Sequence, residues 1–291
     1  MQQTLGWWAG AKRWGPAPAA ETLAFLDEIA GRFEPDALLI GQQMVWRGSL
    51  MAMEGRFDEA RASLAAGLQH ADDFGLTLWR GGWTMDVGHS ELLAGDAEAA
   101  ERALREGYEI LAGLDETGFR ATVGALLGEA LLRQGRDAEA AAILDEVAPR
   151  AADDDVDFQV RSGAVRAELL ARSGELEEAE RVARGAVALA EQTDYSELRG
   201  AALVALGRVL RAACRVDEAS EAVERAVSLY ERKGNRVSAA AATALRDELR
   251  EAPALRRSGR GGGRDSNPRP PGPQPGALPT ELPPPRGEKD S

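Results

Sequence analysis

One recurrence constrains the fold of this chain more than any other feature. A glycine, four residues and then an alanine return at intervals of 40, 40, 40, 39 and 40 residues. The copies are Gly15 to Ala20, Gly55 to Ala60, Gly95 to Ala100, Gly135 to Ala140 and Gly174 to Ala179; a sixth, Cys214 to Ala219, carries cysteine in place of glycine. A motif that keeps phase over five intervals marks a repeat architecture. Seven positions before each of the last five anchors stands a small residue, Gly48, Gly88, Gly128, Ala167 or Gly207, where a second helix can come close. The anchor then ends the first helix, because a residue without Cβ reaches positive φ at little cost. Asp58, Glu59, Glu98 and Glu177 follow in the first turn of a second helix, where the helix dipole favours negative charge. The alanine, with Leu64, Leu104, Leu144 or Val223 four residues later, forms the buried stripe of that helix. Such a hairpin cannot bury its own faces and must stack on its neighbours. The pattern therefore predicts an all-α, right-handed α-solenoid of six helix hairpins, with a last helix at Val237–Arg250 covering the final unit.

The array is expected to span residues 1–250. Residues 252–291 hold 10 of the 14 prolines and 7 of the 32 glycines, with 7 basic and 4 acidic side chains, a net of +3. The whole chain carries −13, so residues 1–251 carry 28 − 44 = −16. A Pro/Gly-rich segment of this kind buries too little apolar surface to offset its ordering entropy, so 251–291 reads as a disordered tail. Asp265-Ser266-Asn267 can be encoded by GAT TCG AAC, and Ala277–Leu282 by GCT CTA CCA ACT GAG CTA. These are reverse complements of a tRNA T-loop and D-arm, so the tail reads as translation across an antisense tRNA gene in preference to a selected proline-rich ligand.

Charge and composition also bound the partners. An acidic array argues against nucleic acid, whose binders present a basic face. No apolar run reaches about 18 residues, which excludes a spanning helix from the expectation. The start MQQTLGWWAGAKRWG has neither the basic nor the apolar region of a secretory signal. A single cysteine, Cys214, fits a reducing compartment, and a cytoplasmic location is expected.

Leu127-Gly128 and Leu206-Gly207, with G-x-x-x-E-A at Gly55–Ala60 and Gly174–Ala179, resemble the tetratricopeptide repeat, although the period is longer than its usual 34 or so residues. Over nearly all of residues 1–249, the runs RWGPAP (13–18), EGRFDEAR (54–61), LLAGDAEAAERALREGYEIL (92–111) and GELEEAERVARGAVALAEQTDY (174–195) resemble one family more closely. It is the C-terminal repeat region of bacterial signalling proteins that join a nucleotide-cyclase domain, an AAA-type ATPase domain and a helical array. The resemblance implies a regulatory or partner-binding region, with the catalytic domains upstream of Met1. Related arrays follow ATPase modules in some transcriptional regulators, which supplies an alternative parent. Leu5, Trp7 and Trp8 leave the first unit without the polar face of a terminal repeat, so a fragment of a longer array is expected.

Catalytic chemistry finds little to stand on. No glycine is followed by Lys-Ser or Lys-Thr as a phosphate loop requires. His70 and His89 lack a second histidine at helical spacing, which argues against a metal site and against a Ser-His-Asp arrangement; His70 is expected to complement a helix C-terminus. Cys214 reads as a tolerated turn substitution, and Asp153–Asp155 as a helix-capping linker. Trp7, Trp8, Trp14, Trp46, Trp79 and Trp83 read mainly as packing residues. No cofactor and no catalytic residue is expected, and the partner is a protein or peptide. If the array follows tetratricopeptide geometry, its groove is lined by Ser49, His89, Glu129, Arg133, Glu168, Arg172, Arg208 and Arg211. The arginines gather towards the C-terminal half, which suits carboxylates through bidentate pairs.

Overall fold

A computed structural model describes residues 2–30 and 36–258, and these are helical throughout apart from their turns. Helix α1 (Gln2–Trp14) pairs with α2 (Ala19–Ala30), and α3 (Ala37–Met53) with α4 (Phe57–Asp73). The third hairpin sets a broken first helix, α5 (Thr77–Gly82) and α6 (Thr84–Ala94), against α7 (Ala97–Gly113). Then follow α8 (Gly118–Arg133) with α9 (Asp137–Val147), α10 (Val156–Ser173) with α11 (Leu176–Ala190), and α12 (Ser196–Ala212) with α13 (Val216–Lys233). Helix α14 (Arg236–Ser258) closes the row and runs eight residues past the expected boundary at 250; the remaining tail lies outside the described residues.

The turn chemistry follows the recurrence. Gly55, Gly95, Gly135 and Gly174 all hold φ between +74° and +90°, and Cys214 holds +60°. Gly75, Asp115 and Gly234 repeat that conformation at the ends of the second helices. Left-handed residues therefore punctuate the chain every 20 residues over 55–135, once per helix, and the 40-residue period is two such steps.

Packing explains the small residues. A Cβ on Gly88 would lie 2.4 Å from Leu104 Cγ, one on Gly48 2.5 Å from Leu64 Cγ, and one on Gly207 2.5 Å from Val223 Cγ2. The small residue of these first helices thus receives the stripe leucine or valine of its partner, and Gly128 likewise meets Leu144 at 3.2 Å. Ala60, Ala100, Ala140, Ala179 and Ala219 are all at most 1% exposed, as the phase requires.

The first unit departs from that phase. Ala20 is exposed and Ala19 takes its buried place, while Gly15 keeps a φ outside the left-handed region. The turn Gly15-Pro16-Ala17-Pro18 is the cause. Proline fixes a negative φ and has no N–H, so the usual left-handed turn cannot form and α2 starts directly after Pro18.

The row of hairpins curves through a complete turn. Lys233, at the end of α13, donates to the carbonyls of Lys12, Gly15 and Ala17 at 2.8–2.9 Å. The Trp14 and Tyr195 rings lie 6.3 Å apart. Val237, at the start of α14, comes within 3.7 Å of the Cβ position of Gly55. The ends of hairpins one and two therefore rest on hairpin six and α14, and the first helices face a shared interior.

Candidate functional site

Glu129, Glu168 and Arg208 stand one residue after Gly128, Ala167 and Gly207, at the same register of α8, α10 and α12. The small residues meet the partner helices, so the next position turns about 100° away, towards the interior. Arg133 and Arg172 lie four further along, one helical turn on the same face. These residues and Arg211 line one cavity of about 780 Å³. Leu132, Val160, Val165 and Leu198 supply its apolar surface, Arg161 a fifth guanidinium and the buried Tyr230 one wall. Six of the eight residues expected to line the groove are thus brought together.

Each arginine already has a partner. Arg133 bonds Glu129 at 2.5 Å, Arg208 bonds Glu168 at 2.8 Å and Arg211 bonds Glu248 at 3.2 Å. Arg172 bonds Asp137 at 2.6 Å and donates to the Leu132 carbonyl at 3.1 Å; Arg133 donates to the equivalent Leu92 carbonyl at 3.3 Å. Two of the guanidiniums therefore also donate to carbonyls in the last turn of the preceding unit's first helix. Burial pushes the Glu129 carboxyl up, but Arg133 and Arg161 pull it below its ordinary value, so it stays ionised. Within the lining itself the arginines outnumber the carboxylates, against the strongly acidic background of the array.

Ser49 and His89 are elsewhere. Ser49 is 1% exposed and donates to Asp86 Oδ1 at 2.6 Å, and the buried Arg13 reaches the same oxygen at 3.3 Å. The expected open groove is absent at Ser49 because Asp86 of α6 and Arg13 of α1 fill the space beside its hydroxyl. Burial outweighs both contacts and raises the Asp86 carboxyl above its ordinary value. His89 is half-buried, and desolvation, reinforced by Arg161 and Arg13, pushes it down to about 3. It is neutral at neutral pH.

Several interior residues were not singled out from sequence. Lys233 is fully buried, and its three carbonyl acceptors match the three N–H groups of an ammonium. Burial and the nearby charge of Arg13 draw it down to about 7. Asn235 Nδ2 donates to both oxygens of buried Glu197, at 2.9 and 2.8 Å, while its own Oδ1 caps α14 through the Ser238 N–H. The available signal was scarcity: Lys233 is one of only three lysines in an arginine-rich chain and stands directly before the Gly234-Asn235 turn.

Other expectations resolve individually. His70 Nε2 lies 2.7 Å from the Ala37 carbonyl and its ring stacks on Phe74, so it ties α4 to the start of α3 and does not serve its own helix end. Asp155 caps α10 through the Phe158 N–H at 3.0 Å. Trp46 and Trp83 are buried packing residues, whereas Trp8 is 56% exposed; the Trp7 side chain lies outside the description. Among the described residues no group of three or more His, Cys, Asp and Glu is placed to hold a metal ion, and no helix is long and apolar enough to cross a membrane.

Comparison with known proteins agrees with the fold. Residues 163–232 match the tetratricopeptide repeat family. No curated protein matches the sequence. Among solved structures, NprR in complex with its cognate peptide NprX is similar with a TM-score of 0.56 and 13% identity, covering 84% of this chain and 68% of that one. BtubC (BKLC) from P. vanneervenii is similar over 72% of this chain and 87% of that one, with 19% identity and a TM-score of 0.46. The TPR-like repeats of a Podosopora anserina putative kinesin light chain cover 68% of this chain and 97% of theirs, at 18% identity and a TM-score of 0.44. The chain is a tetratricopeptide-like solenoid with a lengthened repeat, an architecture typical of protein-interaction modules.

Proposed function

We propose that this array is a non-catalytic recognition arm that holds an acidic peptide segment of a partner in the cavity between α8, α10 and α12. The observation that carries this reading is the convergence of Arg133, Arg161, Arg172, Arg208 and Arg211 around an apolar floor in one cavity of about 780 Å³. The Arg172, Arg208 and Arg211 side chains are 40–49% exposed, so their guanidiniums can exchange an internal carboxylate for one from a ligand without unfolding a helix. The apolar lining gives an aliphatic residue of the same peptide a place to bury. The peptide carried by NprR supports a peptide as the kind of partner. The resemblance of the sequence to the repeat regions of bacterial cyclase and ATPase signalling proteins supports a regulatory role in the cytoplasm, passing partner occupancy to attached domains.

Selection of random peptides displayed on phage against the full chain tests the reading. Peptides rich in Asp and Glu should be enriched. Their affinity should fall at least about tenfold in an Arg172→Glu/Arg208→Glu variant, given that charge-assisted pairs contribute about 1.5–3 kcal/mol each. An enriched set without acidic bias, or one bound equally by the variant, overturns it.

A further inference from the structure

We propose that a second cavity, of about 390 Å³, is a site for an organic cation, a guanidinium or ammonium group. It lies at the N-terminal ends of α8, α10 and α12 and shares no lining residue with the arginine-lined cavity, although Asp157 on its wall pairs with Arg161 of that cavity. Three aromatic rings, Trp14, Phe119 and Tyr195, and three carboxylates, Glu116, Asp155 and Asp157, line it, and no Lys, Arg or His does.

The carboxylates are unequal. Asp157 is paired with Arg161 at 3.0 Å. Glu116 accepts only backbone hydrogen bonds, from Gly118 and Arg120 at 2.9 and 3.2 Å, and Asp155 accepts from the Phe158 N–H at 3.0 Å. Neither forms an ion pair with a described residue, so two negative charges face the cavity without a cation. Each oxygen keeps acceptor capacity after its backbone contact. Burial, together with the charges of Asp157 and Asp154, holds the Asp155 carboxyl above its ordinary value, which a bound cation would reverse.

The lining also selects the class of cation. A hard metal ion needs six or more oxygen ligands, and three of the nine lining residues present aromatic rings instead. An aromatic face and a carboxylate together attract a guanidinium or ammonium, the ring through its quadrupole and the carboxylate through charge and hydrogen bonds. The chain shows the compatibility itself: the Arg13 guanidinium, buried and outside the lining, sits 4.4 Å from the Trp14 ring centroid. A neutral apolar ligand would strip water from two carboxylates without recompense, and an anion would be repelled.

The site is independent of the acidic-peptide reading and is tested with its own probes. Titrations of the full chain, followed by NMR, use agmatine, acetyl-Gly-Arg-Gly-amide and the citrulline analogue of that tripeptide, which keeps the shape but loses the charge. The arginine tripeptide or agmatine should saturate with a millimolar Kd, and the citrulline peptide should bind at least about tenfold more weakly. Tighter binding of the tripeptide identifies a partner's side chain as the source of the cation; tighter binding of agmatine identifies a free amine. Asp155→Asn, which retains the cap to Phe158, and Tyr195→Ala should each weaken the cation several-fold, and for Asp155→Asn the melting temperature should hold. Equal binding of citrulline and arginine peptides, or saturation by neither cation, overturns the assignment.

Discussion

The same nominal change at two glycines should have different costs, and replacing the odd cysteine should have the opposite sign. Gly174 sits at φ +90° with nothing within 4 Å of its Cβ position, so Gly174→Ala meets only backbone strain. The left-handed conformation costs an L-residue roughly 1–2 kcal/mol, part of which is offset by the lower unfolded-state entropy of alanine, leaving about 1 kcal/mol of destabilisation. Gly88 is an ordinary helical position, but its Cβ would meet three side-chain carbons of Leu104 at 2.4, 2.6 and 2.6 Å. Carbon contacts relax near 3.5–4.0 Å, so α6 and α7 must separate by about 1 Å; Gly88→Ala should cost about 3 kcal/mol. Cys214 is exposed and already strained at φ +60°, so Cys214→Gly should gain about 0.5–1 kcal/mol. Urea unfolding read by circular dichroism, with the slope unchanged, ranks the three. A second arm uses Leu104→Ala as background, in which Gly88→Ala should lose most of its effect because the two residues share one contact. The reasoning is refuted if Gly88→Ala costs no more than Gly174→Ala, or if Cys214→Gly destabilises.

Two further changes probe the interior. Lys233→Met leaves the carbonyls of Lys12, Gly15 and Ala17 without their buried donor; loss of those bonds, reduced by the relief of a buried charge, should cost about 2–4 kcal/mol. Hydrogen exchange should accelerate first in α1 and α2, and uniform acceleration along the array would contradict the closure contact. His89 has a folded pKa of about 3 against 6.5 when unfolded, so the unfolded chain binds the extra proton between those values. Stability from this residue is therefore present above pH 6.5 and lost as pH falls towards 3. The difference between the native chain and His89→Asn should steepen by up to about 1.4 kcal/mol per pH unit in that window, and parallel stability curves would exclude a half-buried imidazole held neutral by desolvation.

The hairpins were legible because their constraints are local. A left-handed turn demands glycine or a tolerated substitute, and close helix contact demands Gly88 or Gly207 at fixed distances from Leu104 or Val223. The cavity was legible in its C-terminal half for the same reason: Glu129, Glu168 and Arg208 inherit their direction from the small residue before them. Closure was not legible. Curvature accumulates from a small rotation at every hairpin, and no single unit displays the sum. Ser49 and His89 were consequently assigned to an open groove, when Arg13 of the first unit reaches Asp86 beside Ser49 and its charge acts on His89. The slip from Ala20 to Ala19 had a visible cause in Pro16 and Pro18, but the alanine spacing masked it.

Everything placed inside the array depends on that single closed turn. Cysteines at Gly55 and Val237, in a Cys214→Ser background, test it most directly. The Gly55 Cβ position lies 3.7 Å from Val237 Cγ2, an atom at the γ position where a cysteine would carry its sulfur, so small shifts bring the two Cβ atoms to the separation of about 3.5–4.5 Å that a disulfide spans. Mild oxidation should convert the double variant to an intramolecular disulfide, seen as a faster-migrating monomer on a non-reducing gel and absent from either single variant. Free thiols, or cross-linking only between molecules, would show that hairpin two and α14 do not meet and that the interior is open.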